Sequence, residues 1–246
     1  MNQYRLTLSY DGTDYSGWQA QAGENTVQQK VEEALAVLFR EPSRLHASGR
    51  TDRGVHARAQ EAHFSTEEPF SRPHKLGRAL NALLPDTIRI QRAVPVDEAF
   101  HARFSAIGKE YRYFIWNGEV MPPFLRKYRL HARRKLNVEA MRAAAVHLQG
   151  THDFAAFSAN PKREVSSTVR SLTELTVSKK GNEIQLRAVA NGFLYKMVRS
   201  LAGGLVRVGR GELEPADLTR ILESKERTAC IPTALPQGLF LWKVMY

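Results

Sequence analysis

Within its first hundred residues the chain changes hydrophobic period four times, and that order of periods restricts the folds open to it. "YRLTLSY" (4–10) alternates and is rich in Tyr, Leu and Thr, which predicts a strand. "NTVQQKVEEALAVLFR" (25–40) repeats at helical spacing instead. Val27, Val31, Leu35 and Leu38 make one apolar stripe, Thr26 and Gln29 have the spacing of a capping box, and Pro42 lies just beyond the end. "AQEAHFST" (59–66) returns to a strand pattern. "SRPHKLGRALNALL" (71–84) is helical with Pro73 in its first turn, and "TIRIQRAVPV" (87–96) alternates like a half-buried strand. The order β-α-β-α-β predicts an α+β fold.

A second run follows. "KEYRYFIWN" (109–117) predicts a strand, and "LNVEAMRAAAVHLQG" (136–150) a helix that ends at glycine. Residues 169–190 predict a hairpin turning near Lys180, Gly181 and Asn182. Residues 193–211 predict a helix ending in Gly209 and Gly211, 215–223 a short helix, and "GLFLWKVMY" (238–246) a closing strand. The halves share a similar order without a sequence repeat. They suggest two related modules, 1–105 and 106–246, with a junction near 104–109. A single mixed sheet shared by all strands is the alternative.

The chain has 246 residues, enough for a sizeable core. Lys and Arg number 36 against 25 Asp and Glu, a formal net charge of +11. Such an excess points to a polyanionic partner, most often nucleic acid; a basic protein with no such partner is the bland alternative. A lone cysteine, Cys230, allows no internal disulfide. No run of about 18 apolar residues exists, and "MNQYRLTLSYDG" is not a secretory signal. The expectation is a cytoplasmic protein that does not enter a membrane.

Chemistry concentrates in "ASGRTDRGVHARAQ" (47–60), where Asp52 sits between Arg50 and Arg53, with His56 and Arg58 following and Gly49 and Gly54 at the bounds. A carboxylate beside arginines stays ionised, so Asp52 suits a nucleophile, a charge stabiliser or a weak base better than a general acid. The glycines allow a sharp turn and a close substrate, and the arginines can neutralise phosphates. Three other readings compete. The loop can be a turn in which Asp52 bonds local backbone N–H groups. Asp52, His56 and His63 can be metal ligands, although their spacing is loose and no cysteine supports them. In a glycosidase, Glu61 would be a second carboxylate.

On the strand at 109–117, alternation sends Tyr111 and Tyr113 to one face, able to stack a base or to fill the core. On the helix at 193–211, Leu194, Val198, Leu201, Leu205 and Val208 share a face. Arg199 lies beside Tyr195 and Gly203, where the backbone is thinly covered; it can reach a carboxylate or simply face water. Trp18, in the polar loop 11–23, looks exposed and can line a cleft or cap the core.

"SGRTDRGVHA" (48–57) closely resembles the catalytic loop of the tRNA pseudouridine synthase A family. The resemblance continues through "YDGTDYSGWQAQ" (10–21), "FHARFSAIGKEYRYFIWN" (100–117), "GTHDFAAFS" (150–158) and "NGFLYKMVRSLAGGLVRVGRG" (191–211), in family order. One departure is "ALPQGL" (234–239), where the family usually reads Ala-Pro-Ala-x-Gly-Leu. By position, the resemblance implies that Asp52 is the catalytic aspartate, Tyr111 the active-site tyrosine and Arg199 the basic residue that pairs with the aspartate. Arg50 would help to hold the target nucleotide out of its helix, with Arg53, His56 and Arg58 as further substrate contacts. It also implies two ferredoxin-like α+β modules with antiparallel sheets joined into one large mixed sheet, a cleft between them and a homodimer. The reaction would be isomerisation of uridine to pseudouridine at positions 38, 39 and 40 of the tRNA anticodon stem-loop, with no metal and no organic cofactor. A relative acting at other RNA positions, or a binding protein without catalysis, would carry many of the same residues.

Overall fold

The computed structural model describes residues 2–159 and 166–246. In chain order the elements are β1 (Asn2–Tyr10), α1 (Val27–Phe39), β2 (His46–Ala47), β3 (His56–Thr66), α2 (Leu76–Leu83) and β4 (Ile88–Val96). They continue with β5 (Gly108–Trp116), β6 (Leu130–His131), α3 (Val138–His147), β7 (Gly150–Asp153), β8 (Val169–Lys180), β9 (Glu183–Ala190), α4 (Met197–Gly209), α5 (Pro215–Ser224) and β10 (Leu239–Met245). The chain divides into two compact units, one running to Ile107 and taking back Phe240–Tyr246, the other Gly108–Leu239. Both are α+β. The closing strand thus lies with the first unit and not in a module 106–246, because β10 pairs in parallel with the start of β3, Phe240 opposite His56.

In the first unit β1 runs antiparallel to both β3 and β4. Tyr4, Leu6, Leu8 and Tyr10 are all buried, and Tyr4 and Leu6 face Phe64 and Ala62 in register. Phe39 from α1 closes over this face, 5.6 Å from Phe64 and 6.4 Å from Tyr4. Burying each such side chain contributes roughly 1.5–3 kcal/mol, which fixes the strand register, since a one-residue slip would expose the whole set. Val27, Val31 and Leu35 are fully buried as their spacing predicts. Thr26 caps Gln29 N–H, but the Gln29 amide turns to Glu33, so only half of the capping box forms.

The opposite face of β1 and β3 is polar and aromatic. Glu61 accepts from Arg5 Nε and Thr7 Oγ1, both at 2.8 Å, which occupies the carboxylate considered as a second catalytic group. Next to it His63 is buried, stacked on His46 at 5.1 Å and edge-on to His101 at 4.6 Å. Burial first, then the neighbouring imidazoles His101 and His46, push its pKa down to about 4. An unfolded histidine titrates near 6.5, so between that value and about 4 the unfolded chain binds more protons. His63 therefore stabilises the fold above about pH 6.5, and that contribution is lost as pH falls through this window. We expect His63→Phe to flatten the fall in denaturation midpoint between pH 6.5 and 4; an unchanged acid limb would contradict this.

The second unit pairs β5, β9, β8 and β7 antiparallel in that order, with β6 added in parallel to β5. The β8–β9 hairpin turns at Gly181, whose φ of 58° suits a two-residue connection. Glu110 is buried; burial raises its pKa, but Arg187 and Arg112 outweigh that effect and hold it below its ordinary value. α4 starts at Met197, later than the expected 193, after Lys196 in a left-handed conformation (φ 57°). It is buried almost all round. Gly203 is not thinly covered: a Cβ there would lie 2.0 Å from Pro232 O.

Candidate active site

The Arg-Thr-Asp loop joins β2 to β3. Asp52 to Val55 is a tight turn, closed by Val55 N–H donating to Asp52 O at 3.1 Å. Gly54 occupies the position that needs a positive φ (74°), while Gly49 is not in the left-handed region. Asp52 is half-buried, and Arg50, Arg53 and Arg58 are exposed. No ion pair joins Arg50 or Arg53 to another described residue. Arg58 lays its guanidinium over Trp242, 4.7 Å from the ring centre.

The loop is held from below by buried side chains. Tyr10 Oη hydrogen-bonds Thr51 Oγ1 at 2.8 Å. Burial raises the Tyr10 pKa, so the phenol stays protonated. Gln60 has no exposed surface; its Oε1 accepts from Ser48 Oγ at 2.8 Å and its Nε2 donates to Gly49 O at 2.8 Å. Thr51 within the Arg-Thr-Asp triplet, and Ser48 and Gly49 just before it, are therefore tied to β1 and β3.

The loop is held from the side by the stretch 10–21. Gly12 N–H donates to His56 Nδ1 at 3.0 Å, Trp18 N–H to Thr51 O at 3.0 Å, and Gly54 N–H to Tyr15 O at 3.4 Å. Two glycines make this approach possible. A Cβ on Gly12 would sit 2.0 Å from Val55 O, and one on Gly17 (φ 103°) would sit 2.7 Å from Thr51 O. The same stretch starts α1: Gly17 O and Trp18 O accept from Val27 and Gln28 N–H, satisfying donors that a helix N-terminus leaves open. Trp18 is 1% exposed and packs against Tyr10, so it belongs to the core.

His56 differs from its expected role. It is fully buried, stacked on Phe240 at 4.6 Å, and its Nδ1 accepts the Gly12 N–H. The Asp11 carboxylate lies 3.2 Å from the same Nδ1. His56 positions the loop rather than presenting itself to a ligand. Among the described residues no three His, Cys, Asp or Glu side chains group as a metal site, which leaves the trio Asp52, His56 and His63 unassembled.

In the second unit, Tyr111 and Tyr113 share a face of β5 and are both buried. Tyr111 meets the edge of Phe193 at 5.1 Å and 83°. Tyr113 donates to Leu235 O at 2.7 Å; burial raises its pKa and the nearby Arg199 charge opposes that rise. Arg199 is 9% exposed, not a solvated helix charge. Its Nε donates to Ala234 O at 2.8 Å and its own carbonyl accepts Ala234 N–H at 3.0 Å. Gly203, one turn on, lets Pro232 lie against the helix, so Arg199 is held by the segment that carries the departure from the family pattern.

Sequence reasoning missed Tyr10, Gly12, Gly17 and Gln60 as supports of the loop. The signal was present in "YDGTDYSG", whose glycines mark close backbone approach, but its target 34–44 residues away was not legible locally.

A tRNA pseudouridine synthase family model matches residues 7–105 and 144–246. A tRNA pseudouridine synthase A of Exiguobacterium sp. (strain ATCC BAA-1283 / AT1b) is 46% identical over 248 residues, covering 100% of this chain and 98% of the relative. One of Bacillus subtilis (strain 168) is 46% identical over 245 residues, covering 98% of each. A tRNA pseudouridine synthase A 2 of Bacillus cereus (strain ZK / E33L) is 41% identical over 247 residues, covering both chains fully. The family model covers the loop braced from two sides and the buried arginine helix, the relatives span the tyrosine strand as well, and on this ground the chain belongs to the tRNA pseudouridine synthase family.

Proposed function

We propose that this protein converts uridine to pseudouridine at positions 38, 39 and 40 of the tRNA anticodon stem-loop, acting in the cytoplasm as a homodimer. The observation that carries the reading is the presentation of Asp52: half-buried, on a turn anchored from two sides, flanked by exposed arginines that form no ion pair with described residues. Arg50 and Arg53 take RNA phosphates, with Arg58 beside them. We assign Tyr111 and Arg199 to the same reaction, Tyr111 to the departing base and Arg199, by the family resemblance, to the aspartate.

The reaction is an isomerisation. The N1–C1′ bond breaks, the uracil turns, and C5 bonds to C1′; C5 loses a proton and N1 gains one, so no redox partner or energy source enters. The target must first leave its stack, at a cost of a few kcal/mol. The Asp52 side chain can attack C1′, remove the C2′ proton or add to uracil C6. A primary isotope effect on C2′ deuteration separates the second route from the others. Water must be kept from C1′ so that the base returns, since hydrolysis there would be glycoside cleavage.

The test is a single-turnover assay on an unmodified tRNA transcript with pseudouridine mapped by position. Product confined to 38–40 supports the reading, and product elsewhere moves the site on the RNA. Because arginines supply the contacts, RNA affinity should fall at least about tenfold between 50 and 200 mM salt. An affinity that does not move with salt would contradict the phosphate role of Arg50 and Arg53.

A further inference from the structure

On the polar face of the first unit, away from the Asp52 turn, rings form a ladder that ends in solvent. His63 is its buried base, His46 and His101 stand against it, and Phe104 lies on His101 with ring centres 4.3 Å apart at 33°. Phe104 is 75% exposed, and the Arg103 guanidinium sits 5.5 Å from its ring centre. A lone exposed ring is ordinary on a protein surface; what sets Phe104 apart is the ring beneath it and the turn that holds it.

The display is built. His101 Nδ1 accepts both Arg103 N–H (3.1 Å) and Phe104 N–H (3.3 Å). Ser105 Oγ accepts His101 N–H at 3.0 Å, and Ser105 N–H donates to His101 O at 2.9 Å. Ala102 is fixed on both sides, its N–H to His63 Nδ1 at 3.1 Å and its carbonyl to Tyr246 Oη at 2.8 Å. The turn that carries Phe104 is thus fastened residue by residue to the sheet. A ring held in place, with a cation beside it, is preorganised to take a flat partner at little entropic cost.

We propose that Phe104, backed by His101 and edged by Arg103, is a stacking platform for a nucleobase of the bound tRNA, at a point separate from the reacting uridine. The inference rests on the tRNA reading above. β3 runs from His56, beside the Asp52 turn, to His63 under the ladder; seven residues of strand span about 23 Å. That separation spans several nucleotides, so the platform takes a base outside the target's own position. An aromatic face paired with arginine is how proteins hold unpaired bases without reading their sequence. A second copy of this chain fits less well. Phe104 and Ile107 are the large exposed apolar side chains here, and two side chains fall short of the roughly 800 Å² per partner of a stable interface.

The test compares wild type, Phe104→Ala, Phe104→Trp and Arg103→Ala in binding to one tRNA transcript at two salt concentrations, with sedimentation of each protein. Phe104 is exposed, so its variants should fold. Phe104→Ala should weaken binding about tenfold with an unchanged salt slope, and Phe104→Trp should restore it. Arg103→Ala should lower the slope by about one. Equal affinity of wild type and Phe104→Ala overturns the inference, as does a Phe104→Ala protein that changes its oligomeric state, which would place a second copy on the ring. Wild type that modifies tRNA while Phe104→Ala binds equally well rejects the platform alone; wild type that makes no pseudouridine in any tRNA rejects the reading beneath it.

Discussion

Asp52→Asn should leave a folded protein that binds tRNA and makes no measurable pseudouridine, a loss of at least about 10³-fold in the single-turnover rate. The substitution keeps the shape of the side chain and removes its charge and nucleophilicity. The turn closes through the backbone, Val55 N–H to Asp52 O, and its anchors include Tyr10, Gln60, Gly12 and Trp18. Binding should persist because the RNA contacts assigned to this loop belong to Arg50, Arg53 and Arg58. Equal single-turnover rates for wild type and Asp52→Asn would remove Asp52 from the chemistry. Loss of binding together with turnover would make it a recognition residue.

Gly12→Ala should be the most damaging single-methyl change near the site. The new Cβ would meet Val55 O at 2.0 Å, and contacts below 3.0 Å essentially never occur, so one backbone or the other must move by about 1 Å. The contact is with a peptide carbonyl, which has no rotamer to turn aside. Gly12 also donates to His56 Nδ1, so the shift would disturb the hydrogen bond that holds the two segments together. We expect a destabilisation of about 1–3 kcal/mol from overpacking, and a fall in turnover of about 10²-fold because the displaced carbonyl belongs to the Asp52 turn. Denaturant titration reads the first and the single-turnover rate the second. Gly77→Ala is the control: like Gly12 it has no positive φ, but its Cβ would meet only side chains at ordinary contact distance, Ile90 Cγ2 at 3.5 Å being the nearest. A Gly12→Ala protein as active as wild type would mean that the stretch 10–21 does not set the loop's position.

Much of the fold was legible because the hydrophobic periods are local. The stripe of α1, the alternation of β1 and the glycine turn of the β8–β9 hairpin all follow from spacing within a dozen residues. What stayed hidden depends on distant partners. Trp18 reads as exposed because its neighbours in sequence are polar, yet its backbone is held by Thr51 and its ring by Tyr10. Arg199 reads as a surface charge because helical spacing cannot show that residues 231–234 cover it. His56 reads as a ligand contact from its place in the loop, and only the parallel pairing with Phe240 reveals it as buried. β2 and β6 are two residues each, too short to carry a period. At the candidate site, residue types near Asp52 suggest a chemistry from the sequence alone, while the supports from Tyr10 and Gln60 appear only when β1 and β3 are laid side by side.

The most direct measurement uses tRNA carrying [5-³H]uridine. Joining C5 to C1′ expels the C5 hydrogen, so each pseudouridine formed releases one tritium to water. The account predicts release by wild type, none by Asp52→Asn, and no free uracil from either. Tritium release by Asp52→Asn at the wild-type rate, or free uracil in place of tritium, would contradict it.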